Sequence, residues 1–266
     1  MTVSTDIHPT AIVERGAELG PGVTVGPYCI IGAKANIGEN VRLNSHVVIA
    51  GRTEIGARTV IHSFASLGGP PQHTGYRGED TRLVVGADNI IREYATMSLG
   101  TPGGRGETRV GARGMFMTAC HVGHDCVVGD NVVLANAASL GGHVEVGEGA
   151  ILGALCGIHQ HGRIGAFAMV GGVAAVAADI IPYGLAFGNH AHLAGLNVIG
   201  MKRRGLARDT IRDLRAAFKL LFESRDGTFR ERVAQVEREL GGRAEVRRVL
   251  DFIAAGGDRP LMAPAR

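Results

Sequence analysis

The sequence predicts a parallel β-helix followed by a small helical module. Three observations point there. An aliphatic residue recurs at every sixth position, beginning Ile7, Val13, Leu19, Val25, Ile31, Ile37 and Leu43. Glycine is abundant, 41 of 266 residues, roughly twice its usual share of about 7%. The six-residue pattern ends near residue 187, and helical spacing replaces it.

The first element is the repeat itself. After Leu43 the series continues through Ile49, Ile55, Ile61 and Leu67, and resumes at Val85, Ile91 and Met97. Following a one-residue phase shift it runs from Val110 and Phe116 to Val170 and Val176. Two residues before the aliphatic sits a small or branched side chain, such as Ala11, Ala17, Val23, Cys29, Ala35, Val41 or Val47. An α-helix turns every 3.6 residues and cannot keep a period of six on one face. A parallel β-helix can: each unit is one short strand and one corner, and stacked coils share a continuous core.

Two segments interrupt the pattern, at about 68–84 and 98–109. Both are rich in Gly, Pro and polar residues and read as loops leaving the prism, where function often resides. Residues 1–187 form the predicted β-helix and 188–266 the helical module. Within the module, Ile211, Leu214, Phe218 and Leu221 have helical spacing. Thr228 followed by Glu231 reads as a capping box, Gly241–Gly242 ends that helix, and a further helix is expected over about 244–254.

Charge divides along the same boundary. Residues 188–266 carry 16 Lys+Arg against 10 Asp+Glu, a net +6, while the whole chain is only +3. The total is too small to indicate nucleic acid; the basic module suits either solvent or an acidic partner. The opening residues lack a basic start and an apolar run, so no secretory signal is expected. The most apolar stretch, 164–178, is short for a membrane span. A reducing, cytoplasmic setting is expected.

The four cysteines, Cys29, Cys120, Cys126 and Cys156, each lie two residues before an aliphatic of the repeat. They are expected to be buried packing residues, neither disulfides nor metal ligands. The histidines offer more. Residues 18 apart should stack on neighbouring coils, about 4.8 Å apart. His124 then stacks with Gly142 and Gln160, and Asp125 with His143 and His161. A stripe that combines imidazole, carboxylate and bare backbone amide is a candidate site by its chemistry; the alternative is a solvent-exposed polar stripe.

The chain resembles the bacterial UDP-N-acetylglucosamine O-acyltransferases, of the hexapeptide-repeat transferases. The segments that carry the likeness include IHPTAIVERGAELG, NSHVVIAGRTEIG, HVGHDCVVGDNVVLAN, LGGHVEVG, GIHQ, MVGG, GNHAHLAGLN and GMKRRG. The resemblance implies a left-handed prism, a homotrimer with sites between neighbouring prisms, and no cofactor or metal. It implies transfer of a 3-hydroxyacyl group from acyl carrier protein to the 3-hydroxyl of UDP-N-acetylglucosamine, the first step of lipid A biosynthesis. By resemblance His124 is the base, Asp125 its orienting partner and Gly142 the oxyanion donor. His121 and His143 line the sugar and acyl region, Gln160 lies near the diphosphate, and Gln72 contacts the sugar. Asn197, Arg203 and Arg204 grip the nucleotide. Met169 and Gly172, in MVGG, border the groove that measures acyl length.

Three positions depart from the family pattern. Gly75 stands where a lysine is common, Ser98 where a histidine is common, and Ile199 where a glutamate is common. A 2,3-diamino sugar nucleotide, acylated on nitrogen, is therefore an alternative acceptor. The other readings are another hexapeptide acyltransferase, such as the later N-acyltransferase of the same pathway, a coenzyme A-dependent acetyltransferase, a hexapeptide-fold zinc carbonic anhydrase with three histidine ligands, and a non-catalytic trimeric scaffold.

Overall fold

The computed structural model describes residues 5–256 and 259–265. The aliphatic series becomes a left-handed parallel β-helix of short strands, mostly two residues long, arranged as three sheets of eleven, nine and eight strands. We call these faces one, two and three. Successive strands move from face one to two to three, so each turn of the prism takes three hexads. The register keeps like above like: Ile31 pairs with Ile49 on face two, and Leu134 with Leu152 on face one. Stacked this way, Ile31, Leu43, Ile61, Leu67, Phe116 and Leu134 are fully buried.

The corners explain the rest of the hexad. Among the described residues, eighteen non-glycine residues have φ between 56° and 65°. They sit three residues beyond the inward aliphatic, at the turn between two faces. The left-handed conformation costs an L-residue roughly 1–2 kcal/mol, and the stacked coils hold it there through hydrogen bonds such as His143 N to His124 O at 2.8 Å.

The four cysteines occupy their expected inward slots and are buried. Burial pushes the thiols of Cys120 and Cys126 up to about 12, which leaves them unreactive at neutral pH.

Both predicted loops leave the prism at the corner between faces two and three, but they are shorter than expected. Strands Ser66–Gly69 and Arg82–Val85 bracket the first loop, leaving 70–81. Strands Thr96–Ser98 and Glu107–Val110 bracket the second, leaving 99–106. Where a coil opens into a loop, its strands lengthen and pair further, as Arg82 with Glu107.

The β structure also runs past residue 187. Strand Gly184–Phe187 turns back into His192–Leu196, which pairs antiparallel with it. This hairpin covers the open edge of face one, an edge that would otherwise expose unpaired backbone.

Among the described residues four α-helices follow: α1 (Val198–Arg203), α2 (Arg208–Phe218), α3 (Phe229–Leu240) and α4 (Ala244–Ala254). Helix α1 is too short for its periodicity to show in the sequence. A π-helical turn, Lys219–Glu223, prolongs α2. Helix α2 buries Ile211, Leu214 and Phe218, as their spacing requires. Helix α3 opens on the expected Thr228–Glu231 capping box and stops at Gly241. Buried Asp179 accepts from Arg163 Nε at 2.7 Å and Arg259 Nε at 3.0 Å, which ties the C-terminal segment to the prism.

Candidate active site

The site is built on the corner between faces two and three, where the coils carrying His124, Gly142 and Gln160 lie one above another. Asp125 has φ 60°. Adjacent side chains on a flat strand point to opposite sides; the left-handed corner instead turns the Asp125 carboxylate beside the imidazole of His124. His124 Nδ1 lies 2.8 Å from Asp125 Oδ2.

Asp125 is not on an exposed stripe. It is fully buried, because the second loop folds over it. The Thr101 amide lies 3.1 Å from both carboxylate oxygens, the Thr101 hydroxyl 2.6 Å from Oδ2, and the Arg105 amide 2.8 Å from Oδ1. Burial alone would raise the carboxyl. The hydrogen bonds from Thr101, His124 and Arg105 outweigh it and hold Asp125 below its usual range. An ionised Asp125 can only accept, so His124 carries a proton on Nδ1, and in its neutral form the ring presents a bare Nε2.

Nε2 faces Gly142. A Cβ on Gly142 would stand 2.5 Å from both Nε2 and Cε1 of His124, so no other residue fits while the ring keeps its place. The Gly142 amide has no acceptor among the described residues. At the same position of an earlier coil, the Ala33 amide donates to a carboxylate oxygen of Glu14 at 3.0 Å. An amide in this slot therefore reaches an anionic oxygen beside the corner.

Around this pair lies a cavity of about 390 Å³, lined by Gln72, Ser98, His121, His124, Gly142 and Gln160 among others. The topology brings Gln72 and Ser98 there because both loops leave at this corner. His121 Nδ1 lies 2.8 Å from Thr96 Oγ1, and burial, then the neighbouring His124, lowers its pKa below the usual value. His143 stands behind the pair, its Nε2 3.8 Å from Asp125 Oδ2. Burial lowers His143 too, against the opposing pull of Asp125. Its ring stacks on His161 at 4.4 Å.

His124, Asp125 and His143 each place a ligand atom within 4.8 Å of the others. The Asp125 carboxylate is already saturated by donors, and His124 Nδ1 is committed to it.

The remaining sequence candidates lie elsewhere on the chain. Met169, Asn197, Arg203 and Arg204 line a second cavity of about 690 Å³ over face one, together with Ile199. Asn197 caps α1 by accepting from the Gly200 amide at 3.0 Å, and its Nδ2 donates to Phe167 O at 3.0 Å. Arg204 donates to Gly149 O at 2.6 Å and lies over the Phe167 ring. These two side chains therefore have structural duties within the chain. Gly172 is exposed beside the corner between faces one and two, with only Ala154 O, at 3.1 Å, in tight reach of an added Cβ.

Sequence reasoning missed Thr101, Gly104, Arg105 and His73. A Cβ on Gly104 would lie 2.6 Å from the Asp125 carboxylate, so the glycines of the second loop were a usable signal. Gly75 gives its amide to His73 Nδ1 at 3.1 Å, and the His73 ring sits edge-on to His124 at 5.4 Å.

The left-handed β-helix of six-residue units places the chain among the hexapeptide-repeat transferases. Residues 34–69 match the bacterial transferase hexapeptide repeats, and residues 179–262 match the family described as UDP N-acetylglucosamine O-acyltransferase, domain 2. The acyl-[acyl-carrier-protein]--UDP-N-acetylglucosamine O-acyltransferase of Caulobacter vibrioides is 59% identical over 207 residues, 78% of either chain. That of Azorhizobium caulinodans is 52% identical over 260 residues, 98% of this chain and 96% of its own. Among solved structures, LpxA from Acinetobacter baumannii superposes with TM-score 0.92 at 37% identity, covering 97% of this chain and 99% of its own. UDP-N-acetylglucosamine O-acyltransferase (LpxA) from Moraxella catarrhalis gives TM-score 0.93 at 39% identity, covering 96% and 99%. The chain belongs to the UDP-N-acetylglucosamine O-acyltransferase family.

Proposed function

We propose that this enzyme moves a 3-hydroxyacyl group from acyl carrier protein to the 3-position of UDP-N-acetylglucosamine, opening lipid A biosynthesis in the cytoplasm. The observation that carries the reading is the bare Nε2 of His124 against the Gly142 amide, with Asp125 fixing the tautomer. The names of the relatives supply the donor and acceptor; the site supplies the chemistry.

In this mechanism His124 Nε2 takes the proton of the sugar hydroxyl as its oxygen attacks the thioester carbonyl. The carbonyl oxygen gains negative charge and is held by the Gly142 amide. Collapse breaks the C–S bond, and the imidazolium returns the proton to the departing sulfur. Asp125 stabilises the imidazolium without taking its proton. Gln72, His121 and Gln160 line the acceptor's side of the cavity, and neutral His121 and His143 leave His124 as the group that gains charge.

The active unit in this reading is a homotrimer. Two features support it. Met169, Asn197, Arg203 and Arg204 lie over face one, and His124 lies at the corner between faces two and three, so a neighbouring copy is needed to unite them around one substrate. The corner between faces one and two also carries an apolar ridge, with Tyr28, Phe64, Tyr94, Leu155 and Val173 each about half exposed or more. Exposed apolar patches of this kind mark interfaces. The basic helical module offers the surface for the acidic carrier protein. Among the described residues no helix is long and apolar enough to cross a membrane.

Mass spectrometry of the product tests the proposal. Purified protein is incubated with carrier-protein thioesters of graded length and with both UDP-N-acetylglucosamine and its 3-amino analogue. One added acyl group on UDP-N-acetylglucosamine is the expected result. Acylation of the amino sugar alone would reassign the acceptor, and no acyl-sugar product at all would overturn the reading.

A further inference from the structure

The second loop, 99–106, does more than cover the acid–base pair. We infer that Thr101 is a positioning residue, whose hydroxyl and amide hold the Asp125 carboxylate in the one orientation that keeps His124 aimed at Gly142. The inference rests on the reading of His124 as the base.

Four facts support it. The Thr101 hydroxyl donates to the same oxygen, Asp125 Oδ2, that accepts from His124 Nδ1. The Thr101 and Arg105 amides share the carboxylate from the loop side. The Asp125 amide donates to Thr108 Oγ1 at 2.8 Å, so the residue is fixed at its backbone as well. Gly104 passes so close that a Cβ there would lie 2.6 Å from the carboxylate. The loop is a fitted seat with a charge at its centre, and charge-assisted hydrogen bonds are the strong ones.

The seat has an electrostatic consequence. Each proton donated to Oδ2 disperses carboxylate charge and weakens its pull on a proton at His124. Without the Thr101 hydroxyl that pull increases, and the imidazolium persists to higher pH. The other groups facing the pair are His73 from the first loop, His121 from face two, His143 from the next coil, and Arg105, which pairs with Glu145. None of them donates a side-chain hydrogen bond to Oδ2, so Thr101 has a distinct effect.

Thr101→Val, which keeps the shape and removes the donor, is the test. Turnover should fall at least about tenfold, the scale of one hydrogen bond to a charge, with the KM for both substrates unchanged. The acid limb of the kcat profile should move to higher pH. The His124 imidazole should titrate about half a pH unit higher by NMR of histidine-labelled protein, with its signal assigned by loss in His124→Ala. Thr101→Ser should restore all three. Thr101→Ala is read alongside, in case the valine methyl unfolds the loop.

A folded Thr101→Val or Thr101→Ala protein with wild-type turnover and an unmoved His124 midpoint overturns the inference, as does failure of serine to rescue. A wild-type protein that transfers no acyl group would sink the assignment of His124 instead. The NMR midpoint needs no substrate and still decides the role of Thr101.

Discussion

Two corners of the same prism share a backbone and differ in everything else. Between faces one and two, the left-handed positions are held by Tyr28, His46, Phe64, Tyr94, Ala119, Ala137, Leu155 and Val173. Their rings stack in series at about 5 Å, Tyr28 on His46, His46 on Phe64, and Phe64 on Tyr94. Between faces two and three, the equivalent positions are Asp125, His143 and His161. The φ angles are indistinguishable. What separates the corners is the insertion of two loops at only one of them. A loop that closes over a corner can bury a charge and satisfy it. A corner left open can carry only what tolerates exposure or awaits a partner.

Breaking the roofed corner should have the largest effect. His124→Ala should lower turnover by at least about a hundredfold, the usual scale of a general base, with circular dichroism and elution volume unchanged. Gly142→Ala should approach it, because its Cβ displaces the imidazole while the amide stays; single-turnover kinetics would place the loss in the chemical step. Breaking the open corner should act through assembly. Phe64→Glu would set a charge in the ring stack, and sedimentation should report dissociation of the oligomer, with activity lost in proportion.

A finer test lies beside that open corner. Gly172→Met asks the Ala154 backbone oxygen to give by a few tenths of an ångström, and each methylene of groove it fills is worth about 0.8 kcal/mol, close to fourfold per carbon. Competition between donors should show a preference shorter by a few carbons, and an unchanged length profile would remove Gly172 from the ruler. Smaller again is a pH effect on stability. The folded pKa values of His121 and His143 lie below the usual histidine value. Below about pH 6.5 the unfolded chain therefore binds more protons than the native one. Stability should fall on acidification from neutral pH toward those lowered values, and His121→Gln should flatten the urea midpoint against pH. The smallest expected effect is salt. If the basic module docks an acidic carrier protein, the KM for the carrier thioester should rise with ionic strength, since screening acts beyond about 8 Å.

The roofed corner also marks where the sequence stops being readable. The period of six revealed the prism, the inward cysteines and the stacking of His124 over Gly142, because periodic burial writes itself into residue type. The Thr228 capping box was legible for the same local reason. The seat for Asp125 was not. An insertion carries no period, so although the glycines of TPGGRG hint at a close approach, they do not say that its amides converge on a carboxylate of the next coil. The burial of Asp125 follows from that loop and was missed with it. Short α1 and the hairpin to Leu196 went unread because five or six residues hold less than two turns of pattern.

The left-handed corners bear on how the molecule comes apart. Every one of them puts a side chain where an isolated chain would avoid it, at a cost of roughly 1–2 kcal/mol. No coil is stable alone; each is held by the coil on either side, in the manner of a one-dimensional array. The two ends of the array are unequal. At the far end a hairpin, the helices and the Asp179 clamp lie against the final coils. At the near end the inward Ile7 and Val13 remain partly uncovered, whereas Ile31 and Leu43, a coil or two further in, are sealed. The prism should fray from its amino-terminal coil and stay zipped longest beneath the helices, with the His124 corner midway along that front.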